Sequence, residues 1–216
     1  MKKFTLTLCS AAMLLFACNN GGTDNKPKND STAISQPEVK AETPPPPMDP
    51  AAMQKAMADF STPGDKHKWM AKFKGTWEAS VIGFMDPTKP DTSKATNTVS
   101  MALNGLYQMG KFTGNMMGMP FEGHSTMGYD NAKKMFVNTW IDNLGSGIIY
   151  MTGTYDETTK TLNLKGQQTD PMSGKDMDIR EEMTMIDNDS YTMIMYGAGM
   201  DGKEMKFMEG TFKRKK

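Results

Sequence analysis

The sequence predicts an all-β fold, an antiparallel up-and-down barrel of about ten strands preceded by short N-terminal helices. Beyond Gly75, the apolar residues change from helical spacing to strict alternation with polar residues. The alternating segments are joined by short turn-forming sequences, such as Asp130-Asn131 and Asp201-Gly202. Closure into a barrel would also remove the exposed sheet edges that invite aggregation. A sandwich of two sheets is the alternative architecture.

Residues 1–17 have the pattern of an export signal. Lys2 and Lys3 precede an apolar run from Phe4 to Phe16, which is too short to span a bilayer as a helix. The following "LFAC", ending at Cys18, resembles the lipobox of bacterial lipoproteins. The resemblance implies cleavage before Cys18, lipidation of that cysteine and attachment to a membrane through the N-terminal lipid. An ordinary secretory signal cleaved elsewhere is the alternative.

Residues 18–49 are predicted to be a disordered tether behind the lipidated cysteine. The segment is rich in Asn, Pro, Lys, Thr and Ser, so it buries too little apolar surface to fold. A coil of roughly 30 residues reaches about 30 Å. The remaining cysteine, Cys9, lies in the signal, so the mature chain has no internal disulfide. We expect a lipid-anchored cell-envelope protein whose domain faces the periplasm or the cell surface. The outer membrane is expected rather than the inner, since Asn19 stands where an aspartate retains some lipoproteins in the inner membrane.

Two helices are predicted over residues 50–74, ahead of the barrel domain at 75–216. Apolar residues recur at helical spacing in both segments. These residues are Met53, Met57 and Phe60 in the first helix, and Trp69, Met70 and Phe73 in the second. Gly75 stops the second helix, and His67, which stands among lysines, is interpreted as a solvated surface residue.

Each of the predicted strands is a short segment of alternating polarity. They cover residues 76–85, 95–104, 106–115, 121–130, 134–142, 148–156, 160–168, 177–187, 190–197 and 204–213. Two neighbouring hairpins, beginning "GYDNAKK" and "GTYDETTK", share a pattern that places Tyr129 and Tyr155 at equivalent strand ends. Packing at the barrel rim is the expected role of both tyrosines, and ligand contact is the alternative.

Several motifs together carry a family resemblance. They are "GTW" at 75–77, "GYDNAKKMFVNTWIDN" at 128–143, "GTYDETTKTLNLKG" at 153–166, "DPMSGKDMDIR" at 170–180 and "MEGTFKR" at 208–214. In this order they resemble the uncharacterised "domain of unknown function 1579" family over nearly all of residues 64 to 214. The resemblance implies a lipocalin-like antiparallel barrel in an exported protein, and it implies no established reaction.

A looser resemblance is to the calycins, the lipocalin and fatty-acid-binding group. Their first strand carries Gly-X-Trp, and a basic residue from the last strand packs over the indole. The resemblance implies that Arg214 covers Trp77, a contact worth roughly 0.5–2 kcal/mol. The other arginine, Arg180, is a candidate inward-facing anchor for a ligand carboxylate. An ion pair of Arg180 with Glu182 or Glu209 is the expected role, and the anchor is the alternative.

Methionine replaces leucine as the general apolar residue, with 24 methionines in the chain. Met183 and Met193 each have a second methionine two residues further on, so each pair points to one face of its strand. Such a core is adaptable and suits a cavity for irregular apolar molecules. The candidate ligand-binding residues are Tyr129, Trp140, Arg180, Met183 and Met193. A barrel filled by its own side chains is the alternative.

A second candidate site is the stretch "FTGNMMGMPFEGH", which combines thioethers with an imidazole. Cu(I) prefers soft ligands of this kind, so Met116, Met117, Met119 and His124 are the candidate metal ligands. Their spacing matches no tight metal signature. An exposed methionine loop that contacts lipid or a protein partner is the expected interpretation, and the metal site is the alternative.

The sequence offers little support for an enzyme. It has no GxSxG, HExxH or phosphate-binding glycine loop, and the mature chain has no thiol besides Cys18. Zero net charge without a basic stripe argues against nucleic acid. We expect no cofactor. Three hypotheses follow: a binder of a small apolar or amphipathic ligand, a soft-metal binder, and a ligand-free scaffold with an unspecified protein partner.

Overall fold

The computed structural model describes residues 49–84, 86, 88–116, 118–199 and 202–216. The predicted signal peptide and nearly all of the predicted tether, including Cys18, lie outside the described residues, as does Met117. The described chain begins with helices α1 (Pro50–Ser61) and α2 (Asp65–Ala71), and a short 3₁₀ turn follows at Leu103–Gly105. Within this part of the chain, no helix is both long and apolar enough to cross a membrane.

Ten antiparallel strands form a closed barrel in the order β1-β10-β9-β8-β7-β6-β5-β4-β3-β2. The strands are β1 (Gly75–Gly83), β2 (Asp91–Ala102), β3 (Tyr107–Met116), β4 (Met119–Asp130), β5 (Met135–Asp142), β6 (Ile149–Asp156), β7 (Thr161–Thr169), β8 (Asp176–Met185), β9 (Ser190–Ala198) and β10 (Glu204–Arg214). Each strand pairs with its neighbour in sequence, and β10 returns to β1. The predicted up-and-down barrel is thus confirmed.

Strand alternation divides the barrel into an interior and an outer face. On β8, for example, Ile179, Glu181 and Met183 are buried, while Arg180 and Glu182 between them face outward and are only partly covered. Residues that are paired across neighbouring strands point to the same side of the barrel. On β8 and β9, for instance, Met183 pairs with Met193 and Glu181 pairs with Met195. The interior is therefore built from alternate residues of all ten strands.

Helix α2 closes one end of the barrel, which we call the closed end. Trp69, Met70 and Phe73 are buried there. Trp69 packs on Phe136 and on Tyr155, with ring centroids 5.2 and 4.6 Å apart. Gln108 on β3 donates a hydrogen bond of 2.8 Å to the Met70 carbonyl. The predicted apolar stripe of this helix is therefore the plug of the barrel.

His67 is buried, so its interpretation as a solvated surface residue is wrong. Its Nδ1 accepts a hydrogen bond of 3.0 Å from the Gly64 amide, which starts α2, and its ring contacts Tyr129 edge-on at 6.0 Å. Burial lowers the pKa of His67, against a smaller opposing contribution from the Tyr129 backbone. The neutral ring is part of the plug because the docked helix turns this position inward.

Helix α1 keeps its apolar stripe exposed. Met53, Met57 and Phe60 are each more than half accessible, and no residue of the helix is buried. The Asn131 side chain, in the turn after β4, donates hydrogen bonds to the carbonyls of Asp59, Phe60 and Thr62. Polar contacts to the end of the helix, rather than apolar packing, attach α1 to the barrel.

Candidate ligand-binding site

The barrel interior contains a cavity of about 240 Å³. It extends from Phe73 of the plug to Met116 and Leu144 at the opposite end. We call that end the open end, because no helix of the described residues covers it. Exposed apolar side chains stand around this end: Met119, Ile141, Leu144, Ile148, Tyr150 and Met172. The volume lies just below the ~300–1,000 Å³ typical of small-molecule sites.

Methionines and aromatic residues supply most of the cavity wall. The methionines include Met116, Met127, Met151, Met183, Met193 and Met195. The aromatic residues include Phe73, Phe112, Phe121, Trp140, Tyr191 and Phe212. Three predicted ligand-binding residues, Trp140, Met183 and Met193, are therefore brought together on this wall. Such a lining is apolar and, because methionine is flexible, adjustable in shape.

Trp140 holds a defined position in the wall. Its ring stacks on Phe121 at a centroid distance of 6.3 Å, and its Nε1 donates a hydrogen bond of 2.7 Å to Asp142. A Cβ atom at Gly123 would collide with the indole ring. Glycine at this position of β4 thus makes the space that the Trp140 side chain fills.

Glu181 places a carboxyl group in this apolar wall. The residue is 7% exposed, lines the cavity, and has no hydrogen-bond partner among the described residues. Burial raises the pKa of Glu181 to about 7, because the charged form loses its hydration. Glu181 was not among the predicted site residues. The sequence does contain a feature that points to Glu181. In the segment Ile179–Met183, this glutamate stands at a position where strand alternation predicts an apolar residue.

Other polar groups share the interior with Glu181. Asn97 donates a hydrogen bond of 3.3 Å to the hydroxyl of Tyr191, whose pKa is raised above its usual value chiefly by burial. Asn138 is buried on the wall, and its Oδ1 has no hydrogen-bond partner within the described part of the chain. The cavity thus presents hydrogen-bond acceptors that the protein itself leaves unpaired.

Arg180 lies on the outer face, so it is not the inward-facing anchor of the alternative interpretation. Its guanidinium pairs with Glu182 and Glu204, at 2.8 Å for Nη2 to Glu204 Oε1, and stacks 3.8 Å over the Tyr196 ring. The Glu204 hydrogen bonds are the main cause that raises the pKa of Arg180 above its usual value. Of the two expected ion-pair partners, Glu182 is in contact, while Glu209 pairs with Lys206.

Tyr129 belongs to the closed end rather than to the cavity. Its ring packs against Phe136 at a centroid distance of 5.0 Å and against His67. Tyr155, the matching residue of the second hairpin, packs on Trp69 and lies 5.3 Å from the Lys66 ammonium. Both tyrosines therefore contact the plug.

Arg214 joins the last strand to the first and to the plug. Its guanidinium lies 4.1 Å from the centroid of the Trp77 ring, and the two residues are paired across β1 and β10. It also donates hydrogen bonds of 2.7 and 2.8 Å to the carbonyls of Lys74 and Lys72, just after α2. A Cβ atom on Gly75, whose φ is +132°, would lie 2.9 Å from Arg214 Nη1, which explains glycine in the "GTW" motif.

The proposed soft-metal ligands are not brought together. Met116 lines the cavity, whereas His124 is on the outer face, 3.0 Å from Glu122. His124 pairs with Lys111, five residues before Met116 on β3, which separates the two by about 16 Å along the strand. Met119 is 48% exposed at the rim, and Met117 lies outside the described residues. A single ion cannot contact both Met116 and His124 in this arrangement.

The fold and the cavity define a class: small closed antiparallel barrels with a partly polar, methionine-lined interior. The chain belongs to the family described as "Protein of unknown function (DUF1579)", whose model matches residues 62–214. No curated protein matches the chain.

Two solved structures are similar to this chain. The protein is similar to the crystal structure of Rv2717c from M. tuberculosis, with a TM-score of 0.56, 10% identity, and coverage of 72% of this chain and 100% of that one. The S-type phycobiliprotein lyase CPES from Guillardia theta is also similar, with a TM-score of 0.49, 8% identity, and coverage of 72% and 95%. At these identities the likeness to Rv2717c shows the fold alone.

Proposed function

We propose that this protein binds an apolar or amphipathic small molecule inside the barrel. The observation that carries the proposal is the cavity of about 240 Å³, walled by methionine and aromatic side chains and containing Glu181 and Asn138. A barrel that serves only as a scaffold has no need of unpaired polar atoms in its interior, since each costs about 1–3 kcal/mol. A ligand that supplies the missing partners recovers part of that cost.

The open end supports the same proposal. Exposed apolar residues such as Leu144, Ile148 and Met172 surround the end of the barrel to which the cavity extends. Exposed apolar groups at a cavity mouth favour contact with the apolar part of an approaching molecule. The closed end is fully packed around Trp69 and Phe73, so the ligand enters through the open end.

The place of action proposed here is the cell envelope, with the chain lipid-anchored at Cys18 and the barrel held on a tether over residues 19–49. The lipobox-like "LFAC" and the proline-rich composition that follows support this proposal. Replacement of Cys18 by alanine would abolish incorporation of radiolabelled palmitate and release the protein from the membrane fraction. Unchanged labelling of the alanine variant would contradict the anchor.

A blocked cavity tests ligand binding directly. Met193→Trp inserts a larger side chain into the cavity from β9, and Thr192→Trp adds the same side chain one residue earlier, on the outer face. We expect the neutral apolar fluorophore N-phenyl-1-naphthylamine to bind the unaltered protein and the Thr192 variant, and to bind the Met193 variant at least about tenfold more weakly, which corresponds to about 1.4 kcal/mol. Equal binding by all three would place the fluorophore outside the barrel and contradict the proposal.

A further inference from the structure

We propose that the ligand of the barrel is an amphiphile with a cationic or hydrogen-bond-donating nitrogen, held by Glu181 and Asn138 while its apolar part fills the methionine-lined space. This inference rests on the proposed function and names the chemical class that the same cavity would select. A primary alkylamine is the simplest example of this class.

The first argument is the balance of donors and acceptors in the cavity. The Glu181 carboxyl and Asn138 Oδ1 are both inside the barrel. Asn138 Oδ1 has no hydrogen-bond partner among the described residues, and the raised pKa of Glu181 has burial, with no hydrogen bond, as its cause. The Asn97 amide is already directed at the Tyr191 hydroxyl. Glu181 and Asn138 Oδ1 therefore offer acceptors that a ligand with N–H groups would complete.

The second argument is the sign of the charge. Among the described residues that line the cavity, none is Lys, Arg or His, and the titratable side chains are Glu181, Asp142 and Tyr191. Asp142 lies toward the open end and accepts the Trp140 indole N–H. An anionic amphiphile such as a fatty acid would therefore meet carboxyl groups with no cation to offset them, whereas an ammonium group would be attracted.

The third argument is the proton on Glu181. Burial raises the pKa of this carboxyl to about 7, so in the empty barrel it is largely protonated below that pH. An ammonium group pairs with the ionised form, and its binding then releases the proton. By linkage, amine affinity rises with pH through the window around 7, while the affinity of a neutral ligand of the same chain length stays constant.

Three ligands with one chain length separate these possibilities: decylamine, decanol and decanoic acid. The protein is the full chain with Cys18→Ser, which removes the proposed acylation site and changes no described residue. Binding is followed by displacement of N-phenyl-1-naphthylamine at pH 6 and pH 8. Decylamine remains a cation at both values, since its ammonium titrates near the pKa of lysine, about 10.4.

At pH 8 we expect decylamine to bind at least about tenfold more tightly than decanoic acid, and about tenfold more tightly than it does itself at pH 6. Glu181→Gln should remove the pH dependence, weaken decylamine binding by about tenfold or more and strengthen decanoic acid binding. The control is Glu78→Gln, which removes the same charge from an exposed position on the outer face of β1 and should change neither ligand.

The possible outcomes distinguish a failure of the amine inference from a failure of the proposed function. Decanol or decanoic acid binding at least as tightly as decylamine, with no effect of pH, would overturn the amine inference and leave the proposed function standing. Displacement by none of the three ligands would count against both. The pH dependence is measured on the chain with Glu181 intact, so the inference remains testable if the Glu181 variant folds poorly.

Discussion

Glu181→Gln gives the sharpest test of how the cavity is built. The substitution keeps the size and shape of the side chain and removes its ability to ionise. Glu181 is buried on β8 between apolar neighbours and has no hydrogen-bond partner among the described residues. We therefore expect the variant to be more stable than the unaltered protein at alkaline pH and equally stable at acidic pH.

The magnitude follows from the pKa of the carboxyl. Burial raises it from 4.5 to about 7. The folded state therefore holds more protons than the unfolded state between these values, and the free energy of unfolding falls as pH rises through the window. Each unit of displacement corresponds to ~1.36 kcal/mol, so the full loss above pH 7 is about 3 kcal/mol, and the variant lacks it. Below pH 4.5 both side chains are neutral and the difference vanishes.

Urea unfolding at pH 4.5, 6, 7, 8 and 9 measures this difference, with Glu78→Gln as the exposed control. The lowered pKa of His67 affects all three proteins equally, because it concerns the closed end, and it cancels in the comparison. A stability difference between the Glu181 variant and the unaltered protein that stays the same from pH 4.5 to 9 would refute the reasoning. It would mean that the carboxyl is hydrated within the cavity.

Three further changes test other parts of the barrel. Arg214→Lys should lower the free energy of unfolding, measured in urea, by about 1–3 kcal/mol. The reason is that an ammonium group cannot reach the carbonyls of both Lys72 and Lys74 while it covers Trp77. The control is Lys213→Arg at the exposed neighbouring position, which should change the free energy of unfolding by no more than about 0.5 kcal/mol. Gly75→Ala should lower it by at least about 1 kcal/mol, because φ is +132° and the methyl group meets Arg214. Gly123→Ala should displace the Trp140 ring, shifting its fluorescence and weakening N-phenyl-1-naphthylamine binding.

Each of these three predictions has an outcome that contradicts it. Stability of the Arg214 variant equal to that of the Lys213 variant would show that the guanidinium contacts contribute nothing net. A Gly75 variant as stable as the unaltered protein would show that β1 adjusts at no cost. An unchanged emission spectrum and unchanged fluorophore binding in the Gly123 variant would mean that Trp140 is not held against that glycine.

The strands could be predicted because, in a barrel built from hairpins, each strand pairs with its neighbours in sequence. Alternation with short turns located all ten strands, mostly within one or two residues of their bounds. The largest error is β2, which begins at Asp91 rather than residue 95, because its first residues are polar and extend the pairing with β1 up to Gly83. Local alternation shows where apolar residues repeat, and the ladder can continue beyond them.

The site was less predictable, since it depends on which face of each strand is turned inward. Arg180 and Glu181 are neighbours, and the inward position belongs to Glu181, in register with Leu164 and Met195. The orientation of α2 likewise decides that His67 is buried, although lysines flank it. Met116 and His124 are near in sequence, but hairpin pairing places them far apart along the strands. These features depend on how the strands and the helix pack together in the folded barrel, which the sequence of one segment does not determine.

The measurement that tests ligand binding most directly is native mass spectrometry of the Cys18→Ser chain, which lacks the proposed acylation site, exported to a bacterial periplasm and purified without detergent. We predict a stoichiometric extra mass of a small organic molecule, lost in the Met193→Trp variant and retained in Thr192→Trp. The bare protein mass, unchanged after addition of decylamine, decanol and decanoic acid, would contradict the account and favour a ligand-free scaffold. An extra mass equal to copper would instead point to a soft-metal site.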